Sequence, residues 1–311
     1  MKGFVTVFRV MLCMAASLLL TCCEHKELCY DHSHSVEIEI RFNWQNAPDA
    51  TPRTMVVNFF STDGRHVAVR EFTSMHGGKI KMDAGEYRIL CHNGEMENVK
   101  EAVDAFDRYS LITAEESLLA PMSRQMDAPP RPSVSADEPV RTPAETVWAG
   151  QHEYVNIERG RNGQVIELFP EEVSARYTVE IVNVENLKDN LGISAALTGL
   201  SERLNISGAT GAGQPVTVPF TIDRKDPNTL EARFVTFGHC PEDNSVAHIL
   251  SVYTSKKVYY NYDVTDQVHA APDPRNVYIR IDGIKLPTEG DTMTPSIDDW
   301  GDVEDFEINM K

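Results

Sequence analysis

Val36-Glu37-Ile38-Glu39-Ile40-Arg41-Phe42-Asn43-Trp44 carries an apolar residue at every second position. Successive side chains of a strand point to opposite faces, so this stretch reads as a strand with one buried face and one wet face. Similar segments follow. Residues 55–60 form a second, more fully apolar strand, and residues 66–72 a third after the turn at Asp63-Gly64. Gly77-Gly78 breaks the chain before a fourth at 79–82, and Tyr87, Ile89 and Cys91 share one face of a fifth. Short strands at this spacing, divided by turn residues, predict an antiparallel sandwich or barrel. Residues 98–106 predict a short helix, with Val99, Ala102, Val103 and Phe106 on one side.

Residues 120–146 differ from what surrounds them. Pro121, Pro129, Pro130, Pro132, Pro139 and Pro143 cannot occupy a sheet interior, so a long loop or mobile excursion is expected. Strands at 154–157 and 164–169 then return to the first sheet. Pro170 and the two glutamates after it mark a boundary, because strand patterning restarts at Arg176. Further strands are predicted at 193–197, 215–222, 230–237, 247–253, 257–264 and 277–284, with Gly208, Gly211 and Gly213 in a loose loop. Residues 36–170 therefore read as an N-terminal β-sandwich with its proline-rich loop at 120–146, and residues 171–311 as a C-terminal one. The chain ends in Phe306, Ile308 and Met310 at period two, a terminal strand that must pair with its own sheet or a neighbour's.

The chain has 311 residues and a net charge of −18, so it should repel nucleic acid, and no nucleic-acid partner is expected. Of its six cysteines, Cys29, Cys91 and Cys240 would remain beyond the N-terminal Cys13, Cys22 and Cys23, and these three, widely spaced, form neither a disulfide framework nor a zinc ribbon. Upstream of the first strand, Lys2 and Arg9 precede an apolar run over residues 10–20, too short for a permanent membrane span. That run ends in Leu20-Thr21-Cys22-Cys23, which resembles the lipobox of bacterial lipoproteins. The resemblance implies a signal peptide over 1–22, acylation of Cys23, and a lipidated tether over 23–35. Several acyl chains would hold the protein firmly on a membrane. An ordinary secretory signal would instead leave a soluble periplasmic protein.

Four further motifs resemble pieces of one family. They are Cys23-Glu24-His25-Lys26-Glu27-Leu28-Cys29-Tyr30-Asp31-His32-Ser33-His34, Asp83-Ala84-Gly85-Glu86-Tyr87-Arg88-Ile89-Leu90, Ala196-Leu197-Thr198-Gly199-Leu200, and Pro295-Ser296-Ile297-Asp298-Asp299-Trp300. Together they resemble the fimbrial-associated lipoproteins of Bacteroidota. This resemblance implies an all-β chain of two transthyretin-like β-sandwich domains, a lipid anchor in the outer membrane, and assembly by strand exchange. The exchanging residues would be Phe306, Ile308 and Met310, and the partners other fimbrial or surface proteins. A surface glycan- or protein-binding lipoprotein is the alternative, with Trp148 as its exposed aromatic platform.

Candidate chemistry is sparse. His32 and His34 lie two apart near Asp31, Cys29 and His25, and imidazoles beside a carboxylate or thiol could bind zinc or copper. They also keep the parity of Val36 and Ile38, so extension of the buried face is the preferred reading and no metal site is assigned. Cys91-His92 and His239-Cys240 are similar dipeptides that would form a site, or a disulfide, only if the fold joined them. Asp298, Asp299, Asp302, Glu304 and Asp305 lack the spacing and glycine of a calcium loop. With no nucleophile elbow, HExxH or glycine-rich phosphate loop, the sequence predicts a non-enzyme that needs no cofactor.

Overall fold

The structure is a computed structural model that describes residues 34–102, 104–122, 129–240, 246–288 and 304–305. The strands run in chain order as β1 (Ser35–Phe42), β2 (Met55–Ser61), β3 (His66–Phe72), β4 (Gly77–Asp83), β5 (Gly85–Asn93), β6 (Val99–Ala102), β7 (Ser110–Thr113), β8 (Trp148–Ile157), β9 (Gln164–Leu168) and β10 (Glu171–Glu172). They continue as β11 (Ala175–Glu185), β12 (Ile193–Asn205), β13 (Thr210–Thr221), β14 (Asp223–Asp226), β15 (Thr229–Thr236), β16 (Ile249–Thr254) and β17 (Tyr259–Asp263). A five-residue helix, α1 (Thr265–His269), precedes β18 (Asn276–Lys285), and β19 (Glu304–Asp305) comes last.

The first sandwich packs sheet β4-β1-β9 on sheet β10-β8-β5-β2-β3. As its alternation requires, β1 turns Val36, Ile38, Ile40 and Phe42 inward and Glu37, Glu39 and Arg41 outward. Ile38 faces Ile80 of antiparallel β4, and Phe42 faces Leu168 of parallel β9. The opposing sheet contributes Met55, Val57, Phe59, Ile89 and Cys91. Trp44 follows in a short 3-10 turn, half-buried, with its indole N–H donating to the Met75 carbonyl at 2.6 Å.

The second sandwich packs sheet β14-β15-β11-β18 on a sheet ordered β19-β17-β16-β12-β7-β6, with β13 on the other side of β12. Tyr177, Val179 and Ile181 of β11 meet Leu197, Val218, Phe220, Leu250 and Val252 in one core. The all-β architecture of tandem sandwiches expected from the sequence is thus observed.

Two local expectations are corrected. Residues 98–106 form no α-helix: β6 and a 3-10 turn at Phe106–Arg108 occupy the stretch. The periodicity of Val99, Ala102 and Phe106 loses to pairing, because Val99 and Ala102 align with Thr113 and Ser110 of β7. Gly211 and Gly213 lie within β13 rather than in a loose loop. There the backbone comes so close to β12 that a side chain on Gly211 would meet Ser201 Oγ at 2.2 Å.

The described residues of the proline-rich stretch form a long loop, as expected, and it is docked on the second sandwich as a strap. Val140 bridges in parallel to Thr217, and Ala144 bridges to Val235. Glu138 accepts from the Thr217 hydroxyl at 2.8 Å and the Gly199 N–H at 3.2 Å, and its burial pushes the carboxyl above its usual range. Arg141 pairs with Glu202 at 2.9 Å, and their side chains are only 13% and 10% exposed. Prolines lack the N–H that a ladder needs, but residues between them supply it here.

The Arg141–Glu202 pair gives a test. Arg141→Ala leaves the buried Glu202 carboxylate with only Arg203, 3.6 Å away, so urea unfolding should show a loss of up to about 3–5 kcal/mol. Arg141→Met combined with Glu202→Leu should recover most of that loss. Single-variant stability equal to wild type would show that the strap does not hold the sheet.

Candidate functional site

Two features mark places where this fold could do work: a buried joint between the sandwiches, and the chain ends at the sheet edges. The joint arises because the chain between β5 and β8 leaves its own sandwich. Residues 99–113 cross over, and β7 pairs with β12 through Leu111↔Leu204 and Ile112↔Arg203. Phe60 and Leu90 from the first sandwich, Phe106, Tyr109 and Leu111 from the crossing segment, and Leu204, Ile206 and Phe237 from the second pack into one apolar cluster. Phe106 stands edge-on to Phe60 at 5.5 Å, and the Arg88 guanidinium covers its ring at 3.6 Å.

A polar chain threads this cluster. His92 Nδ1 lies 2.8 Å from the Asn93 carbonyl, which can only accept, so Nδ1 carries the proton and Nε2 is bare. The Tyr109 hydroxyl donates to Nε2 at 2.7 Å and accepts from Asn58 Nδ2 at 3.1 Å. Asn58 Oδ1 in turn accepts from His66 Nε2 at 2.9 Å. Burial holds the His92 imidazolium down and pushes the Tyr109 phenol up, so both stay neutral. His92 and Tyr109 are fully buried, while the half-buried His66 and the exposed Glu101, 3.4 Å from His92 Nε2, carry the network outward; it acts as a polar lock across the joint.

The edges are set differently. His34 begins the described chain, with its ring 3.6 Å from Asp83 and its carbonyl accepting from Ala84 N–H at 2.6 Å. Cys23, the predicted acylation site, and His32 lie outside the described residues. At the far end, β19 pairs in parallel with β17 through Glu304↔Tyr260 and Asp305↔Asn261. The stretch before Phe306 therefore lies on the edge of the second sandwich's own sheet. Phe306, Ile308 and Met310 themselves are outside the described residues, as are Asp298, Asp299 and Trp300.

The remaining candidates separate. Cys91 sits in the first core, where burial pushes its thiol up to about 12, while Cys240 lies beside the Gly213 carbonyl in the second. Both are reduced, and the two Cys-His dipeptides are not brought together. Trp148 is half-buried at the pairing of β8 with β10, so it offers no open aromatic platform. Among the described residues no group of three or more His, Cys, Asp or Glu side chains is arranged to hold a metal ion. No described helix is long and apolar enough to cross a membrane.

Comparison with known proteins adds the lineage. The profile of the family described as Domain of unknown function (DUF5119) matches residues 22–221. The chain belongs to this family. Fim4B of Bacteroides ovatus, named as a candidate fimbrium anchoring subunit, is 23% identical over 109 residues. That stretch is 34% of this chain and 32% of Fim4B, so the match spans about a third of that relative. Among solved structures, a candidate adhesin from Bacteroides ovatus superposes with a TM-score of 0.58 at 18% identity, over 81% of this chain and 93% of that one. The fimbrial anchor protein Mfa2 of Porphyromonas gingivalis superposes with a TM-score of 0.50 at 13% identity, over 80% and 90%. This DUF5119 member therefore shares its two-sandwich fold with proteins of fimbriae and adhesion.

The polar lock yields the second prediction. Tyr109→Phe keeps the ring but strips His92 Nε2 and Asn58 Nδ2 of a partner, which should cost about 1–3 kcal/mol in urea. The folded-state pKa of His92 lies below its unfolded value. The unfolded state therefore binds the extra proton, and this contribution to stability falls as pH drops through roughly 6.5. His92→Gln should flatten that part of the profile. A wild-type midpoint independent of pH between about 7 and 5 would contradict this assignment of the proton.

Proposed function

We propose that this protein is a lipid-anchored cell-surface structural protein, acting as a subunit or anchor of a fimbria-like adhesive assembly. The observation that carries the reading is the sharing of both sandwiches with a fimbrial anchor protein over four-fifths of the chain. The lipobox-like end at Leu20-Thr21-Cys22-Cys23 adds the attachment. In this reading Cys23 carries the lipid, and the chain sits on the outer membrane. Residues 23–33 would supply the tether, since Ser35 already belongs to β1 and aligns with Asp83. The division of the chain near residue 170 belongs to the same proposal.

The work is mechanical. The tether enters β1, a strand hydrogen-bonded to β4 on one side and β9 on the other, so a pull on the membrane end loads two ladders at once. The joint passes that load to the second sandwich. At its far edge, β17 holds β19, the place where a terminal strand carrying Phe306, Ile308 and Met310 would be kept or exchanged with a neighbouring subunit. The Trp148 ring, half-buried, gives no support to a glycan platform.

Metabolic labelling with a fatty-acid analogue, followed by fractionation of the source cells, tests the proposal. The wild-type chain should carry label and retain fimbrial polymer in the outer-membrane fraction. Cys23→Ala should lose label and release polymer to the medium. Label kept in Cys23→Ala would move the lipid to Cys22, and an unlabelled wild type would remove the anchor altogether. Labelled protein with no polymer attached would leave a surface lipoprotein outside fimbriae.

A further inference from the structure

Three imidazoles meet in the second sandwich. His239 follows β15, His248 immediately precedes β16, and His269 closes α1. Their ring centroids are 4.9 Å apart for His248–His269, 5.6 Å for His239–His269 and 6.0 Å for His239–His248. They are 9 to 30 positions apart in sequence, so the fold alone assembles them.

We propose that His239, His248 and His269 form a binding site for a borderline-soft divalent cation, zinc first among them. Three observations carry this. The first is spacing. With metal–nitrogen bonds of about 2.0–2.1 Å, three imidazoles around a tetrahedral ion stand about 5.2 Å apart between ring centres, and their ligating nitrogens about 3.3 Å apart. The observed centroid distances bracket that figure, and His248 Nε2 lies 3.1 Å from His269 Nε2.

The second is tautomer. His248 Nδ1 donates to the Thr198 carbonyl at 3.0 Å, so its Nε2 is the bare nitrogen and points at the cluster. Metal-bound histidines are oriented by just such a contact from the other ring nitrogen. Gly199 makes room for it: its φ is +77°, and a side chain there would meet His248 Nδ1 at 2.7 Å.

The third is an orphan. His239 Nδ1 is buried and has no hydrogen-bond partner. A buried polar nitrogen without a partner is costly, and an ion would satisfy it. As they stand, His248 Nε2 and His269 Nε2 are hydrogen-bonded to each other, and the proposal requires the His239 ring to turn and complete the set. An all-imidazole set suits zinc or copper(II) and disfavours calcium or magnesium, which take oxygen ligands. A ligated ion would tie the loop after β15, the start of β16 and α1 together, stiffening the end of a load-bearing sandwich.

Calorimetric titration of the purified, chelator-treated chain with zinc tests this, with cobalt(II) absorption as an independent readout of ligand type. One equivalent should bind and raise the thermal midpoint. Removing one of three ligands, in His269→Ala or His239→Ala, should weaken binding by about a hundredfold or more and abolish the rise. Both residues are half-buried, and an unchanged apo circular-dichroism spectrum would show that the variants fold. His32→Ala with His34→Ala should bind as wild type does. Absence of binding in the wild type, full binding in both single variants, or loss confined to the His32/His34 variant would overturn the proposal.

Discussion

The crossing of residues 99–113 from the first sandwich into the sheet of the second is the constraint on which the rest depends. A sandwich normally closes its own core, and two in tandem would then swing on a linker. Here Phe106, Tyr109 and Leu111 are fully buried between the two units. Exposing them costs about 1.5–3 kcal/mol for each large apolar side chain. Separating the sandwiches would also strand the hydroxyl, imidazole and amide of the Tyr109–His92–Asn58 chain. The strap on β13 and β15 adds a second bond between the same partners, because it is the return path of the same excursion. Interdomain motion is thereby opposed by both apolar packing and polar satisfaction.

This arrangement suits a chain that must transmit force from a membrane to an assembly. In the proposed role the tether would lead into β1, the central strand of its sheet, and residues 304–305 pair with β17 of the second sandwich. Nothing in that path needs catalysis. The buried His92–Tyr109 pair, hydrogen-bonded to Asn58, ties neighbouring strands to the crossing segment. The three-histidine cluster differs, since two of its rings are half-exposed and one nitrogen is unpartnered.

Much of the fold was legible in the sequence because strand alternation is a local signal. β1 buries the residues its period-two pattern marks, and the strands of the second unit fall where apolar runs and turn residues place them. What escaped was long-range. β6 and β7 are four residues each, too short to carry a period, and they exist because β12 offers its edge. β12 runs thirteen residues, past the expected end at 197, because it pairs with β16 early and β7 late. The prolines of the strap mark it as loop, but its docking escaped, since the sequence shows the missing N–H groups but not the carbonyls of β13 that meet the remaining ones. Tyr109, His92 and the three histidines carry no spacing that announces them. A buried histidine on a strand between two others, as at position 92, is the one local hint, because a polar residue there needs a partner.

Differential scanning calorimetry of the purified mature chain tests the central claim most directly. If the joint makes one cooperative unit, both sandwiches unfold in a single transition whose calorimetric and van't Hoff enthalpies agree. Two resolved transitions, with the first sandwich melting while the second keeps its strands, would show that the crossing segment does not couple them, and the account would fail.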